Sequence, residues 1–198
     1  MRFFRMKIGI FGGTFDPVHL GHLRLARTAR DQFSLDKIIF IPAFQPPHKK
    51  DLPQLTSAAH RYEMVRLAIE GESRFEVSDC EIRRQGISYT FDTVSEMEMK
   101  YPGAEIFLLL GKDAFWGIPA WHRAEELKRK VRFLVAKREN EETVASEGSR
   151  AEWLPMPLCP ISASGIREAI KLGRFVDDYL SPQVLHYIQS NSLYRKNG

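Results

Sequence analysis

Four short strings of this chain are almost wholly apolar: Ile8 to Phe11, Ile38 to Ile41, Ile106 to Leu110 and Val131 to Val135. A strand with one wet face alternates apolar and polar residues, so an unbroken string marks a strand covered on both faces. Amphipathic segments lie between the strings. His19 to Gln32 sets Leu23, Ala26 and Ala29 or Arg30 at helical spacing. Ser57 to Ile69 sets Ala58, Tyr62, Val65 and Ile69 in a stripe, and Thr90 to Lys100 groups Phe91, Val94 and Met97. Strand, helix, strand, helix requires crossovers, and crossovers make a mainly parallel sheet. The expected fold is α/β: a doubly wound, mainly parallel sheet in one domain over residues 1–198. Residues 160–198 form a small C-terminal helical part, in which Ser164 to Leu172 and Pro182 to Gln189 read as closing helices.

The composition allows such a core, with 43% hydrophobic and 27% charged residues in 198. No stretch approaches the roughly 20 apolar residues that cross a bilayer. The basic and apolar start runs straight through Lys7-Ile8-Gly9-Ile10-Phe11 into a glycine turn, which reads as a first strand rather than a signal peptide. Cys80 and Cys159 stand far apart without a CxxC, as thiols of a reducing compartment do. The expected location is cytoplasmic, with no membrane partner. A net charge of +4 is dispersed along the chain rather than gathered in a stripe with interleaved aromatics, so nucleic acid is not expected either. Two regions break the rhythm: Pro42 to Pro53 reads as a long loop leaving a strand, and Glu139 to Arg150 as a polar, frayed surface piece.

The chemistry gathers after the first string, in Gly12-Gly13-Thr14-Phe15-Asp16-Pro17-Val18-His19-Leu20-Gly21-His22. Gly12-Gly13 lets the backbone turn where a side chain would collide. His19 and His22 are three apart at the first helical turn, hence on one face, and Gly21 removes the bulk between them. A helix start offers free N–H groups and a positive dipole end, which suits a phosphate chain. A metal site would need a third ligand, and no Cys, His or Glu stands near the pair. The spacing is neither GxGxxG nor GxxxxGK[ST], so dinucleotide-dehydrogenase and P-loop readings fail. Far downstream, Ile161-Ser162-Ala163-Ser164-Gly165-Ile166-Arg167 reads as a second capped helix start, with Ser162 or Ser164 as cap and Arg167 projecting from its first turn.

Gly13-Thr14-Phe15-Asp16-Pro17-x-His19-x-Gly21-His22 and Ile161-Ser162-x-x-x-Ile166-Arg167 together resemble the nucleotidyltransferase superfamily with the HxGH motif, and within it the bacterial nicotinate-nucleotide adenylyltransferases. Pro47-His48-Lys49, Ser88-Tyr89-Thr90-x-Asp92-Thr93, Gly111-Lys112-Asp113 and Pro119-x-Trp121 extend the resemblance along nearly the whole chain. It implies a Rossmann-like fold and transfer of an adenylyl group from ATP to nicotinate mononucleotide, giving deamido-NAD and pyrophosphate. It also implies roles. His19, His22, Lys49 and Arg167 are the catalytic set, with His22 foremost. Gly12, Gly13, Thr14, Phe15, Gly21, Ser162, Ile166 and Arg138 are on the ATP side. Thr90, Asp113, Trp121 and His122 are on the pyridine-nucleotide side: Trp121 stacks on the ring, Thr90 and backbone N–H groups near Trp121-His122 meet its carboxylate, and Asp113 holds a ribose hydroxyl or caps a helix. Mg²⁺ is expected to be held mainly by ATP oxygens and water, with no protein metal ligands. A homo-oligomer is left open. The chain departs from the resemblance at Arg138-Glu139-Asn140, where Arg-Pro-Gly is common, and at Gly165, where many relatives carry a larger residue. The competing readings are another HxGH transferase, such as phosphopantetheine adenylyltransferase or a cytidylyltransferase, and a non-catalytic nucleotide-binding module.

Overall fold

The computed structural model describes residues 5–47, 55–138, 151–156 and 162–195. Lys49, the 139–150 piece, Cys159 and Ile161 lie outside them, as does most of the Pro-rich loop from residue 48 onward.

The four apolar strings are the middle of a six-stranded parallel sheet. They form β1 (Lys7–Gly13), β2 (Lys37–Pro42), β4 (Glu105–Gly111) and β5 (Arg132–Arg138), in the order β3-β2-β1-β4-β5-β6. The edges are β3 (Phe75–Val77) and β6 (Ala151–Met156), which carry no unbroken apolar string and were not expected. An edge strand has one neighbour and partial cover, so its sequence has less reason to be uniformly apolar. Side chains alternate between two cores. Phe107 and Leu109 point to one side of β4, while Ile106, Leu108 and Leu110 point to the other. The first core is closed by α1 (Leu20–Phe33), α2 (Ala58–Ala68), α7 (Ala163–Lys171) and α8 (Pro182–Ser190). The second is closed by α3 (Cys80–Arg84), α4 (Thr90–Lys100), α5 (Lys112–Trp116) and α6 (Ala124–Lys130). This is the doubly wound α/β architecture expected. Among the described residues, no helix is long and apolar enough to cross a membrane.

One stripe differs from expectation. On α2 the buried face is Arg61, Met64, Val65 and Ala68; Ala58 and Tyr62 are only half-buried. Hydrophobicity alone steers away from Arg61, yet its guanidinium is 1% exposed because three backbone carbonyls receive it.

The order 3-2-1-4-5-6 reverses direction between β1 and β4, and ligands of open α/β sheets bind outside the carboxyl ends of the strands at that point. Gly13 ends β1 and Gly111 ends β4, so the glycine-histidine string and Gly111-Lys112-Asp113 arrive at the same crevice.

Candidate active site

Gly12 and Gly13 are still strand residues, paired with Ile41 and Pro42 of β2. Neither adopts a positive φ; the sharp turn falls at Phe15, with φ 50°. Gly13 is required for another reason: a Cβ there would sit 2.9 Å from the Phe15 ring. A bulky residue in the left-handed region is strained, and strain of this kind persists only where the surroundings hold it. Here the Phe15 ring, 2% exposed, is wedged edge-on against Phe11 and His22. Phe15 therefore supports the site from below, and its side chain does not reach a ligand. The Asp16–Pro17 peptide is cis.

His19 is the N-cap of α1 and His22 its third residue, and their rings lie 3.8 Å apart. The His22 Nδ1 accepts the backbone N–H of His19 at 3.2 Å. A neutral imidazole with Nδ1 as acceptor carries its proton on Nε2, so His22 presents a donor outward. Burial, reinforced by the neighbouring His19, holds the His22 ring well below the usual imidazole range. Burial alone pulls His19 down to about 4. Both rings are thus neutral near pH 7, which lets them stack closely without repulsion. The His19 Nδ1 is buried with no hydrogen-bond partner among the described residues.

Acidification tests this burial. An unfolded imidazole takes its proton near 6.5, the folded His19 ring only near 4. Between those values the unfolded chain holds more protons, so stability falls as pH drops from about 6.5 to about 4 and is unaffected by this group above that window. Thermal melts across the window are expected to lose melting temperature toward acid, and His19→Gln to reduce the slope; an identical slope in the variant would assign it to other groups.

The second motif starts α7. Ser162 is its N-cap, accepting the Gly165 N–H at 3.2 Å. Arg167 is the fifth helical residue rather than part of the first turn, and from there its Nη1 donates to the Asp16 carbonyl at 2.7 Å, joining positions 151 residues apart. Ile166 is fully buried, so it anchors the helix and its side chain contacts the core, not a nucleotide. Gly21 lies in the first turn of α1 between the two histidines. Arg138 is the last residue of β5.

Beside the β1 end lies a pocket lined by Gly12, Gly13, Thr14, Thr90, Trp121 and His122, with Ser88, Tyr89 and Glu81 among its other walls. The structure thus gathers six of the sequence-derived residues into one hollow. Trp121 is half-buried on the rim of the second core, with aromatic surface to offer. Its backbone N–H donates to the Ile118 carbonyl at 2.8 Å, so that amide is not available to a ring carboxylate as expected. Thr90 opens α4, whose N-terminus, with its positive dipole end, lines the pocket. His122 is exposed, its ring stacked on Tyr89 at 4.5 Å. Asp113 is exposed in the first turn of α5, where Gly111 is the N-cap, so Asp113 is not capping that helix.

Four residues escaped the sequence reading. Glu81 is 6% exposed in the pocket wall, accepting the Thr93 hydroxyl, and burial pushes its carboxyl up, which lessens its repulsion of an anion nearby. Arg61 donates to the carbonyls of Thr56, Thr14 and Phe44. Asp16, given no role of its own within the motif, is 2% exposed and receives the Tyr194 hydroxyl at 2.7 Å and the Thr56 N–H at 3.4 Å. For Arg61 a signal existed: a cation standing on the apolar stripe of a helix. For Tyr194 there was none, because nothing local links the two ends of the chain.

A parallel sheet of this order, with stacked imidazoles at the first helix start and an arginine from a distant helix bonded to the loop before them, is the frame of a nucleotidyl-transfer site. The model of the cytidylyltransferase-like family matches residues 10–169. The probable nicotinate-nucleotide adenylyltransferase of Exiguobacterium sibiricum is 41% identical over 190 residues, covering 96% of this chain and 99% of that one. That of Gloeobacter violaceus is 42% identical, covering 95% and 96%. Within the cytidylyltransferase-like family, this chain belongs to the nicotinate-nucleotide adenylyltransferases. The fold matches Plasmodium falciparum nicotinic acid mononucleotide adenylyltransferase complexed with NaAD at a TM-score of 0.81, with 21% identity over 96% of this chain and 98% of that one.

Proposed function

We propose that the chain transfers the adenylyl group of ATP to nicotinate mononucleotide, releasing pyrophosphate and forming deamido-NAD. The observation that carries this reading is the bond from Arg167 to the Asp16 carbonyl, because it brings the second motif onto the loop that presents both imidazoles. Attack of one phosphate on the α-phosphorus of another needs no protein nucleophile. It needs two polyanions aligned, and donors aimed at the oxygens that gain charge. The His22 Nε2–H, His19, the start of α1 and Arg167 are such donors, and Ser162 stands at a second helix start beside them. By resemblance Lys49 adds a cation from the loop, and Arg138 lines the adenine side.

The pocket suits the other substrate. Trp121 offers a face for the pyridine ring, Thr90 and the start of α4 favour a carboxylate over a carboxamide, and exposed Asp113 at the crevice edge can take a ribose hydroxyl. Mg²⁺ fits this site as a companion of the triphosphate. The acidic residue of the phosphate loop, Asp16, is already occupied by Tyr194 and Thr56, so the ion is left to ATP oxygens and water. Bound there, it would neutralise phosphate charge.

The test is synthesis. With ATP and Mg²⁺, nicotinate mononucleotide should give dinucleotide and pyrophosphate in equal amounts, at a kcat/KM at least about tenfold above that with nicotinamide mononucleotide, the discrimination expected from roughly 1.4 kcal/mol of differential binding. No product with the acid form would overturn the substrate assignment. Equal rates with both would overturn the role given to Thr90 and the α4 terminus.

A further inference from the structure

The chain's last described turn does more than end a helix. After α8, Ser192 N–H returns to the Gln189 carbonyl and Leu193 N–H to that of Ile188, folding the tail back onto the body. Tyr194 follows with φ 63°, a conformation bulky residues avoid. What it gains there is Asp16. The Asp16 carboxylate is 2% exposed and must be satisfied from within the protein. Tyr194 donates to its Oδ1 at 2.7 Å, and the Thr56 N–H reaches Oδ2 at a longer 3.4 Å. Burial and the adjacent carboxylate raise the Tyr194 hydroxyl above its ordinary range, so it remains a donor wherever the protein is folded.

Arg167 stands next in line. Its Nη1 donates to the Asp16 backbone carbonyl and lies only 4.0 Å from Oδ2 of the same residue. One buried anion is thus shared: Tyr194 satisfies Oδ1, the Thr56 N–H reaches Oδ2 weakly, and Arg167 stands nearest Oδ2 without bonding it. While the Tyr194 hydroxyl occupies the carboxylate, the guanidinium needs only the carbonyl and keeps its other N–H groups for a ligand. Without that hydroxyl, the strongest donor within reach is Arg167 itself, and a charge-assisted bond to a buried carboxylate would hold it.

We propose that Tyr194 is a positioning residue for adenylyl transfer: its hydroxyl occupies the Asp16 carboxylate and so leaves the Arg167 guanidinium free to meet the triphosphate. This rests on the reading of Arg167 as a phosphate contact. The pocket read as the pyridine site is lined by neither Tyr194 nor Arg167, so binding of the mononucleotide is not involved.

The experiment compares full-length Tyr194→Phe, Arg167→Ala and the double variant by kcat, KM for each substrate and thermal melting. Tyr194→Phe should lower kcat about tenfold or more, as displacement of a positioned group does, and leave KM for nicotinate mononucleotide within about twofold. Because it acts through Arg167, it should add little to Arg167→Ala. Unchanged kcat in Tyr194→Phe, or a full further loss in the Arg167→Ala background, would overturn the proposal. An inert Arg167→Ala would overturn the reading of the site itself, which keeps the two failures apart. Leu193→Ala supplies the folding control, since it loosens the same tail with the hydroxyl intact. It should lower the melting temperature and spare kcat, and a kcat loss equal to that of Tyr194→Phe would show that the tail acts through stability alone.

Discussion

Replacing His22 with Ala is expected to lower kcat about a hundred- to a thousandfold, the range for removing one donor aimed at developing negative charge. The reasoning starts from the hydrogen bond that fixes the ring. Nδ1 accepts the His19 N–H, so Nε2 carries the proton and points away from the helix. Burial keeps the ring neutral, so it can donate to an oxygen without first shedding or gathering a charge. Phe11 and Phe15 pack against the ring at 5.8 and 5.1 Å and limit its freedom to turn. A donor so held loses little entropy when the reaction needs it, which is the substance of preorganisation. The fold should survive, because His22 is not among the residues of the core; the substitution frees one N–H and gives up the ring's contacts with Phe11 and Phe15, a loss on the order of 1–3 kcal/mol. Steady-state rates beside circular dichroism decide the matter. A folded variant with kcat within about threefold of the parent would mean that the imidazole does not serve the transition state, and would favour a nucleotide-binding module over an enzyme.

The sheet could be read from sequence where a strand is sandwiched and not where it lies at an edge. Ile106 to Leu110 had to be apolar throughout because both cores press on β4, whereas Phe75–Val77 has a neighbour on one side only. The start of α7 was legible for a different reason: Ser162, one of two candidate caps, bonds the N–H three residues on, so the signal and the structure share one short stretch of chain, as they do at Ser57 and Ser181, which were not read as caps. The site was legible where its glycines and paired histidines crowd one short stretch, and pocket-lining Thr90 was legible only through the family resemblance. Its supports were not. Arg61 could be noticed as a cation on an apolar stripe, but not its role, because the carbonyls of Thr14, Phe44 and Thr56 that converge on it are backbone groups with no sequence signature. Asp16 and Tyr194 are 178 residues apart and meet only because α2 and α8 pack together. Of the backbone N–H groups expected near Trp121-His122, that of Trp121 is taken by the turn at Ile118–Ala120, which depends on tertiary packing around Ile118.

Arg61 gives the largest expected effect on stability. Its guanidinium is buried, and burial pulls it below its ordinary range, yet its range is high enough that the charge is retained. It is held by carbonyls at 2.8, 2.8 and 3.2 Å from three different segments: the turn after β1, the loop after β2 and the approach to α2. Arg61→Ala would leave those carbonyls facing a dry void where the fork had been. Three buried acceptors left without a donor, at roughly 1–3 kcal/mol each, cost several kcal/mol together, which for a chain of this size lowers the melting temperature by roughly 10 °C. Arg61→Lys should recover only part of it, because an ammonium is a compact charge on a flexible stem and lacks the rigid fork that meets three diverging acceptors. Activity should fall alongside, since Thr14 and the segment beside the pocket lose a common anchor. A melting temperature within about 2 °C of the parent in Arg61→Ala would mean that water replaces the guanidinium without loss, and that the three segments hold their places by packing alone.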